Sequence, residues 1–187
     1  MSVAFPLSRH ALTVDEYHRM ADAGILRAGD RVELIEGEII DMSPIGSDHA
    51  SVVNRLISLM VRAVGISAIV SAQNPIHLND LSEPQPDLAL LRYRDDYYRA
   101  ALPGAADVLL VVEVADSSLR YDREIKLPLY ARHAIPEVWI VDLEQRRLEI
   151  HLRPAGDTYL EKRCPDLAAP IAPTALADCP LDLGELW

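Results

Sequence analysis

The chain of 187 residues is long enough for one globular domain with its own core, and we predict a single domain over residues 1–187. Hydrophobic residues make up 50% of it and charged residues 25%, which excludes a disordered chain of low hydrophobicity. The formal net charge of −11 argues against a general affinity for nucleic acid, although clustered carboxylates that hold a divalent cation would reverse the field locally.

Two helices are predicted in the N-terminal half. Thr13 and Glu16 match a capping box and Gly24 offers a stop, which together predict a helix over about residues 14–23. A second helix, over residues 49–64, is indicated by one apolar stripe at helical spacing. The stripe consists of Val53, Leu56, Ile57, Met60 and Val64.

Short runs rich in apolar residues predict strands. The runs 31–36 and 38–42 flank Gly37 and predict a hairpin with the glycine at positive φ, followed by a loop at 43–48. The later runs are bounded by Pro, Asn, Asp or Gly. They are 66–70, 76–78, 87–91, 107–114, 138–142, 148–152 and 158–161. The run 107–114 is almost continuously apolar, which is typical of a central strand covered on both faces.

A third helical stretch lies between the strands 107–114 and 138–142. It follows the possible caps at 116–118 and extends to about His133, with a kink expected where Pro128 removes a backbone donor. The whole pattern predicts an α/β (α+β) fold with a central β-sheet, flanking helices, an N-terminal helix and a β-hairpin.

Neither cysteine indicates a metal site. Cys164 and Cys179 have no second cysteine and no histidine at zinc-ligand spacing, so the sequence predicts no structural zinc. The N-terminus lacks a basic region followed by a long apolar core, and no run approaches the roughly 20 apolar residues of a membrane span. We therefore expect a cytoplasmic protein that does not contact membranes.

Two acids lie near the ends of neighbouring predicted strands. Pro86 and Asp87 open one strand and Glu113 lies near the end of the next, so adjacent strands could bring both carboxylates to one edge of the sheet. Paired carboxylates repel each other, which protonates one of them or requires a cation, and oxygen ligands suit Mg²⁺ or Mn²⁺. The spacing alone is equally compatible with two solvated acids.

Lys126 is the one cation that the pattern aligns with these acids. On the predicted helix it lies four residues from Asp122 and four from Tyr130, so one face could aim an ammonium at the acidic edge. The alternative is an Asp–Lys pair on the surface, which contributes at most about 1 kcal/mol.

The order of these residues resembles a known nuclease signature. Residues 86–87, followed by 113–115, resemble the PD-(D/E)XK motif, and the chain more closely resembles the Uma-type family of restriction-endonuclease-like proteins. The matching segments cover most of the chain and are specific only in combination. They are 32–39, 42–44, His49, 85–87, 112–114, 122–126, Tyr130 and 135–142. The resemblance implies a restriction-endonuclease-like core with a mixed sheet.

One position departs from the general motif. Ala115 stands where the motif has lysine, two residues after the glutamate, and the resemblance implies that the lysine has migrated to Lys126. It also implies that Asp87, Glu113 and the Val114 carbonyl hold Mg²⁺ or Mn²⁺ beside the scissile phosphate. Lys126 would position or help deprotonate the attacking water and stabilise the developing charge, leaving a 5′-phosphate.

Four further residues in the matching segments are candidates for supporting this site. Glu33 and His49 could act behind the metal ligands, and Gln85 and Tyr130 could orient water or backbone. Three of them also have an ordinary structural explanation: an exposed strand acid for Glu33, a local hydrogen bond at a helix start for His49, and ring packing for Tyr130. The remaining histidines have no metal-ligand spacing.

The leading hypothesis is a metal-dependent endonuclease that hydrolyses DNA phosphodiester bonds. A non-catalytic binding or regulatory module on the same fold is the first alternative, favoured by the charge of −11 and by the absence of a Lys/Arg-rich stretch. A phosphodiesterase for small phosphorylated substrates is the second. Cutting two strands with one site each would suit a homodimer, the commonest symmetric oligomer.

Overall fold

The structure is a computed structural model that describes residues 9–27, 29–184 and 186–187. The predicted N-terminal helix is α1, Val14–Asp22, and Thr13 and Glu16 form the predicted capping box. Gly24 follows it with a φ of 72°, the left-handed conformation in which helices commonly end.

The predicted hairpin consists of β1, Val32–Ile35, and β2, Glu38–Asp41. Its two turn residues, Glu36 and Gly37, have φ values of 51° and 81°, the pattern of a two-residue turn that matches the twist of the strands. A Cβ at Gly37 would lie 2.6 Å from the Cβ of Ala11, so only glycine fits at this position.

Helix α2, Ser47–Val64, begins two residues before the predicted start and ends at Gly65 as predicted. Its stripe packs on one face of the sheet, with Val53, Leu56, Met60 and Val64 buried and Ile57 partly buried. The apolar period of the sequence therefore identified the face that the helix buries.

Six strands form a mixed sheet in the order β3-β4-β5-β6-β7-β8, with only β5 and β6 parallel to each other. Their bounds are Ala68–Ala72, Leu88–Arg92, Val108–Ala115, Glu137–Asp142, Arg147–Ala155 and Thr158–Arg163. All eight residues of β5 are buried, as its continuous apolar run predicted.

The crossover from β5 to β6 is helical from Leu119 to Arg132 but irregular. It comprises α3, Leu119–Tyr121, a π-helical segment, Asp122–Lys126, and α4, Leu127–Arg132. The Leu127 N–H donates to the Asp122 carbonyl, five residues back, as a π turn requires. Pro128 lies in the first turn of α4, directly after the π turn, and the kink expected there stays a prediction.

The sheet is covered on both faces. Helix α2 and the C-terminal residues Leu181, Leu183 and Leu186 pack on one face, and α4 and the segment after β3 pack on the other. Among the described residues, no helix combines the length and apolar character that crossing a bilayer requires.

Three strand predictions were wrong in detail, one of them being β7, which extends three residues beyond the predicted end to Ala155. Residues 76–78 make only an isolated bridge between His77 and Gly104, because turns on either side prevent a longer ladder. Strand β3 begins at Ala68 rather than Ile66, because the chain still turns after Gly65. In this turn Ile66 is exposed and the Ser67 N–H donates to the Val64 carbonyl.

Candidate active site

Asp87 and Glu113 meet at the edge of the sheet where β4 begins. The register pairs Leu88 with Val112, so Asp87 lies opposite Glu113. The Asp87 N–H donates to Oε2 of Glu113 over 3.4 Å, and the Val114 N–H donates to Oδ2 of Asp87 over 2.9 Å. The Asp87 side chain thus continues the hydrogen bonding of β5 beyond the end of the ladder.

Lys126 reaches the same edge from the π-helical segment. Its Nζ lies 2.9 Å from Oε1 of Glu113, and both residues are only 3% exposed. This separation is well inside the roughly 6 Å at which opposite charges interact strongly. Ala115, two residues after the glutamate, is buried on the same face of β5.

Glu33 approaches Lys126 from the hairpin. Its Oε2 lies 3.3 Å from Nζ of Lys126 and accepts the Gln85 N–H over 2.9 Å. The Tyr121 hydroxyl donates to the other oxygen over 3.2 Å. Glu33 is therefore a buried partner of the lysine, and the alternative of an exposed strand acid is wrong.

His49 lies in the first turn of α2 and contacts Asp87. Its Nε2 is 3.0 Å from Oδ2 of Asp87, while its buried Nδ1 has no hydrogen-bond partner among the described residues. The hydrogen bond to Asp87 outweighs burial and raises the pKa of His49. This geometry makes His49 a support for the orientation of the Asp87 carboxylate.

Tyr130 and two glutamines complete the contacts to the acids. The Tyr130 hydroxyl donates to Oε1 of Glu113 over 2.6 Å, the oxygen that also faces Lys126. Gln73 donates to Oδ1 of Asp87 over 3.4 Å, and the side chain of Gln85 donates to the Gln73 carbonyl. Gln85 therefore reaches Asp87 only through Gln73, a residue that the sequence did not single out.

The site holds more negative than positive charge. Burial raises the pKa of Glu113 to about 8, with Asp122 and Asp87 adding to the effect and Lys126 opposing it. Burial would lower the pKa of Lys126, but Glu113, Glu33 and Asp122 together raise it, so the ammonium stays charged. Burial also opposes ionisation of Asp87, yet the bonds from His49 and Val114 lower its pKa overall.

These groups line a cavity of about 270 Å³ between the sheet edge, the hairpin and the start of α2. Sequence reasoning missed several of its polar residues, because the turns that bring them together carry no local pattern. They are Arg31, Asp41, Asp116, Ser118 and Tyr121. Asp122, which the sequence placed on the same helix face as Lys126, lines the cavity too. Ser118 occupies the N-cap position of α3, but its hydroxyl donates to Asp122 over 2.7 Å and caps no backbone N–H.

The oxygen atoms at the sheet edge suit a hard cation that keeps most of its coordinated water molecules. No group of three or more His, Cys, Asp or Glu among the described residues is arranged to hold a metal. Oδ1 of Asp87 and Oε2 of Glu113 each have only a 3.4 Å contact, so one oxygen of each acid is weakly engaged. Pro86, the residue before Asp87, has no N–H to donate across the sheet.

Comparison with known proteins identifies the family. The family model Uma2, described as "Putative restriction endonuclease", matches residues 14–183. The chain belongs to the Uma2 family. A crystal structure of a putative nuclease belonging to DUF820 from Anabaena variabilis ATCC 29413 superposes with a TM-score of 0.70 over 94% of this chain and 97% of that chain. At 16% sequence identity this likeness shows the fold alone.

Membership of the Uma2 family and the nuclease-like fold together support a nuclease-like function. No curated protein matches the chain. In this Uma2 chain the buried cation beside Glu113 comes from the crossover helix, since Ala115 occupies the strand position of the general motif.

Proposed function

We propose that this Uma2 protein is a metal-dependent endonuclease that hydrolyses DNA phosphodiester bonds. The observation that carries the proposal is the 2.9 Å contact between Lys126 and Glu113. It lies beside the Asp87 carboxylate, which accepts the Val114 N–H. A surface Asp–Lys pair would be exposed and would contribute little to stability. This lysine is instead buried beside carboxyl groups whose ionised form burial disfavours. Ionisable groups with perturbed pKa values that cluster in one cleft are typical of a functional site.

Asp87, Glu113 and the Val114 carbonyl would hold Mg²⁺ or Mn²⁺, for which two carboxylates and a carbonyl are suitable ligands. The bound cation would polarise the phosphoryl oxygens and lower the pKa of a bound water. Binding would also favour the ionised form of Glu113, whose pKa is raised by burial and, to a smaller extent, by Asp122 and Asp87.

The chain's own residues would supply orientation and charge. Lys126, held charged by its carboxyl neighbours, would orient the attacking water and stabilise the negative charge that develops on the phosphoryl oxygens. The raised pKa makes it a hydrogen-bond donor rather than the proton acceptor considered from the sequence. Tyr130 and His49 would fix the two metal-binding carboxylates through hydrogen bonds of 2.6 and 3.0 Å.

A phosphodiesterase for small substrates is the second candidate. The observation that favours it is the depth of the site, because Lys126 and Glu113 are almost fully buried in a cavity of about 270 Å³. Hydrolysis of a cyclic dinucleotide or a phosphodiester dye without cleavage of any DNA would support this candidate instead.

The test is a cleavage assay on supercoiled plasmid and on single-stranded DNA with Mg²⁺, Mn²⁺ or EDTA. Asp87→Asn and Lys126→Met should each reduce metal-dependent cleavage at least about 100-fold. Lys162→Met is the matched control, because Lys162 is the only other lysine of the chain and pairs with Glu149 on the far strands. Cleavage that survives both site substitutions in folded protein would refute the assignment.

A further inference from the structure

The segment that leaves β4 carries the only exposed aromatic side chains among the described residues. Tyr93 is 47% exposed and Tyr97 is 66% exposed, while the tyrosines and tryptophans elsewhere in the described part are buried or partly buried. Their ring centroids lie 6.0 Å apart with planes at 75°. This edge-to-face arrangement leaves ring surface open to solvent.

The backbone of this segment is strained at two tyrosines, one exposed and one buried. Tyr97 and Tyr98 have φ values of 50° and 61°, the left-handed conformation that side-chain-bearing residues avoid. Tyr98 is the buried anchor, and its hydroxyl donates to the Arg92 carbonyl over 2.8 Å. Consecutive left-handed residues that hold one aromatic ring in and its neighbour out are typical of functional segments.

A second set of contacts makes the segment rigid. Asp96 accepts two hydrogen bonds from Arg94, at 3.0 and 2.8 Å, and the Tyr98 N–H at 3.3 Å. The Arg94 guanidinium lies 4.6 Å from the centroid of the Tyr98 ring. The exposed tyrosines are therefore carried on a turn whose residues are hydrogen-bonded to one another.

The charge around the two rings is less negative than that of the chain as a whole. Within residues 92–99, three arginines stand against two aspartates, in a chain whose net charge is −11. Asp96 pairs with Arg94, while Arg92 and Arg99 are exposed, and Arg92 donates to the Ala106 carbonyl over 3.0 Å. Asp95 near Tyr93 and Asp107 near Tyr98 are the neighbouring acids. Aromatic rings interleaved with cations are what single-stranded nucleic acid binds, through base stacking and phosphate contacts.

We propose that Tyr93 and Tyr97 form a base-stacking surface for single-stranded DNA, so that the substrate of the nuclease is a single strand rather than a closed duplex. The proposal rests on the proposed function for the identity of the polymer. Bases in a duplex have their faces covered by their neighbours, so a protein ring can stack only on bases that are unpaired or unstacked.

The depth of the proposed cleavage site also favours single-stranded DNA as the substrate. Lys126 and Glu113 are each 3% exposed, so a scissile phosphate must enter the cavity to reach them. A flexible single strand can insert one phosphodiester, whereas a duplex would also bring the phosphates of its second strand towards the acidic lining. Asp87 precedes the first residue of β4 and Tyr93 follows its last, so a bound strand would span the length of β4, about 20 Å, between the two places.

Binding can be tested without cleavage. We would measure fluorescence anisotropy of a labelled oligonucleotide, single-stranded or annealed to its complement, in low salt with EDTA. The protein would be the full chain carrying Tyr93→Ala and Tyr97→Ala together, with Tyr93→Phe and Tyr97→Phe as the matched control that keeps both rings. The alanine pair should weaken single-strand binding at least about tenfold, and the phenylalanine pair should leave it nearly unchanged.

Equal affinity of the wild type and the alanine pair for the single strand would overturn the proposal, as would tighter binding of the duplex. A change in sedimentation coefficient in the alanine pair, with oligonucleotide binding intact, would instead identify a protein–protein interface and also overturn it. Ring-dependent single-strand binding in a protein that never cleaves DNA with Mg²⁺ or Mn²⁺ would support the stacking surface and defeat only the nuclease function.

Discussion

The ammonium of Lys126 and the carboxylate of Glu113 lie 2.9 Å apart although they belong to different elements, a π turn and the central strand of the sheet. Glu33, from the hairpin, adds a second carboxylate 3.3 Å from the same ammonium. One charged lysine therefore links three parts of the fold, and its removal should affect stability as well as catalysis.

Lys126→Met should lower the free energy of unfolding by about 3–5 kcal/mol, because it leaves buried carboxyls facing one another without a cation. Glu33→Gln introduced into the same chain should recover part of that loss by removing one of the negative charges. Urea denaturation of the four proteins of this double-mutant cycle measures the coupling between Lys126 and Glu33. Strictly additive effects would contradict the pairing.

Tyr130→Phe should reduce cleavage, or the apparent affinity for the metal, about 10- to 100-fold, because Glu113 loses the hydroxyl that orients it. Tyr159→Phe is a suitable control. Its hydroxyl donates to the Ile135 carbonyl over 2.8 Å, so the variant loses a comparable hydrogen bond that has no contact with the site. Initial cleavage rates measured against Mg²⁺ concentration should separate the two variants, and parallel losses would indicate a merely structural effect.

Gly37→Ala should destabilise the protein by about 2 kcal/mol or more, since it combines a positive φ with a Cβ placed 2.6 Å from that of Ala11. Gly156→Ala meets nothing within 4 Å at a similar positive φ, so it isolates the backbone effect, about 1 kcal/mol. Thermal denaturation of both variants compares the two terms. Equal shifts in Tm would show that the hairpin turn and Ala11 move apart at little cost, so that the steric contact contributes nothing.

Glu149 should make stability depend on pH in the acid range. It is buried on β7 and contacts Arg123 at 2.6 Å and Lys162 at 2.9 Å. Burial raises its pKa, but these partners outweigh burial and bring the pKa from its ordinary 4.5 down to about 2. Its carboxylate therefore contributes stability above pH 4.5 that is lost as the pH falls towards about 2.

Glu149→Gln should accordingly lower Tm near neutral pH and flatten the dependence of Tm on pH between about 4.5 and about 2. Glu144→Gln, at an exposed acid in the turn between β6 and β7, is the control and should change neither. A wild-type slope retained in Glu149→Gln would mean that other carboxyls govern acid unfolding.

The elements that local patterns determine were predictable from the sequence. The capping box of Thr13 and Glu16 and the apolar stripe of α2 depend on neighbours three or four residues away, and the buried run of β5 depends on continuous apolar character. These features occur where predicted. The ends of β3 differ because turn geometry, rather than composition, sets where a strand can begin.

The candidate site was predictable only in part. Asp87, Glu113 and Lys126 could be chosen from their order and spacing, and their proximity is a property of the fold. Glu33 and Tyr121 meet although they are far apart in sequence, and Gln73 reaches Asp87 from the end of β3, so no local pattern indicates these contacts. The catalytic roles of all these residues stay predictions until the variants are assayed.

The π turn at Asp122–Lys126 holds one residue more than an α turn would need to span the same path. Deleting a single residue there would restore regular α-helix and rotate Lys126 by about 100° relative to the first turn of the crossover. The loss of one codon would therefore separate the lysine from Glu113 while every site residue stayed in the gene. In this chain, the length of the crossover helix should therefore matter to the proposed site as much as the lysine itself.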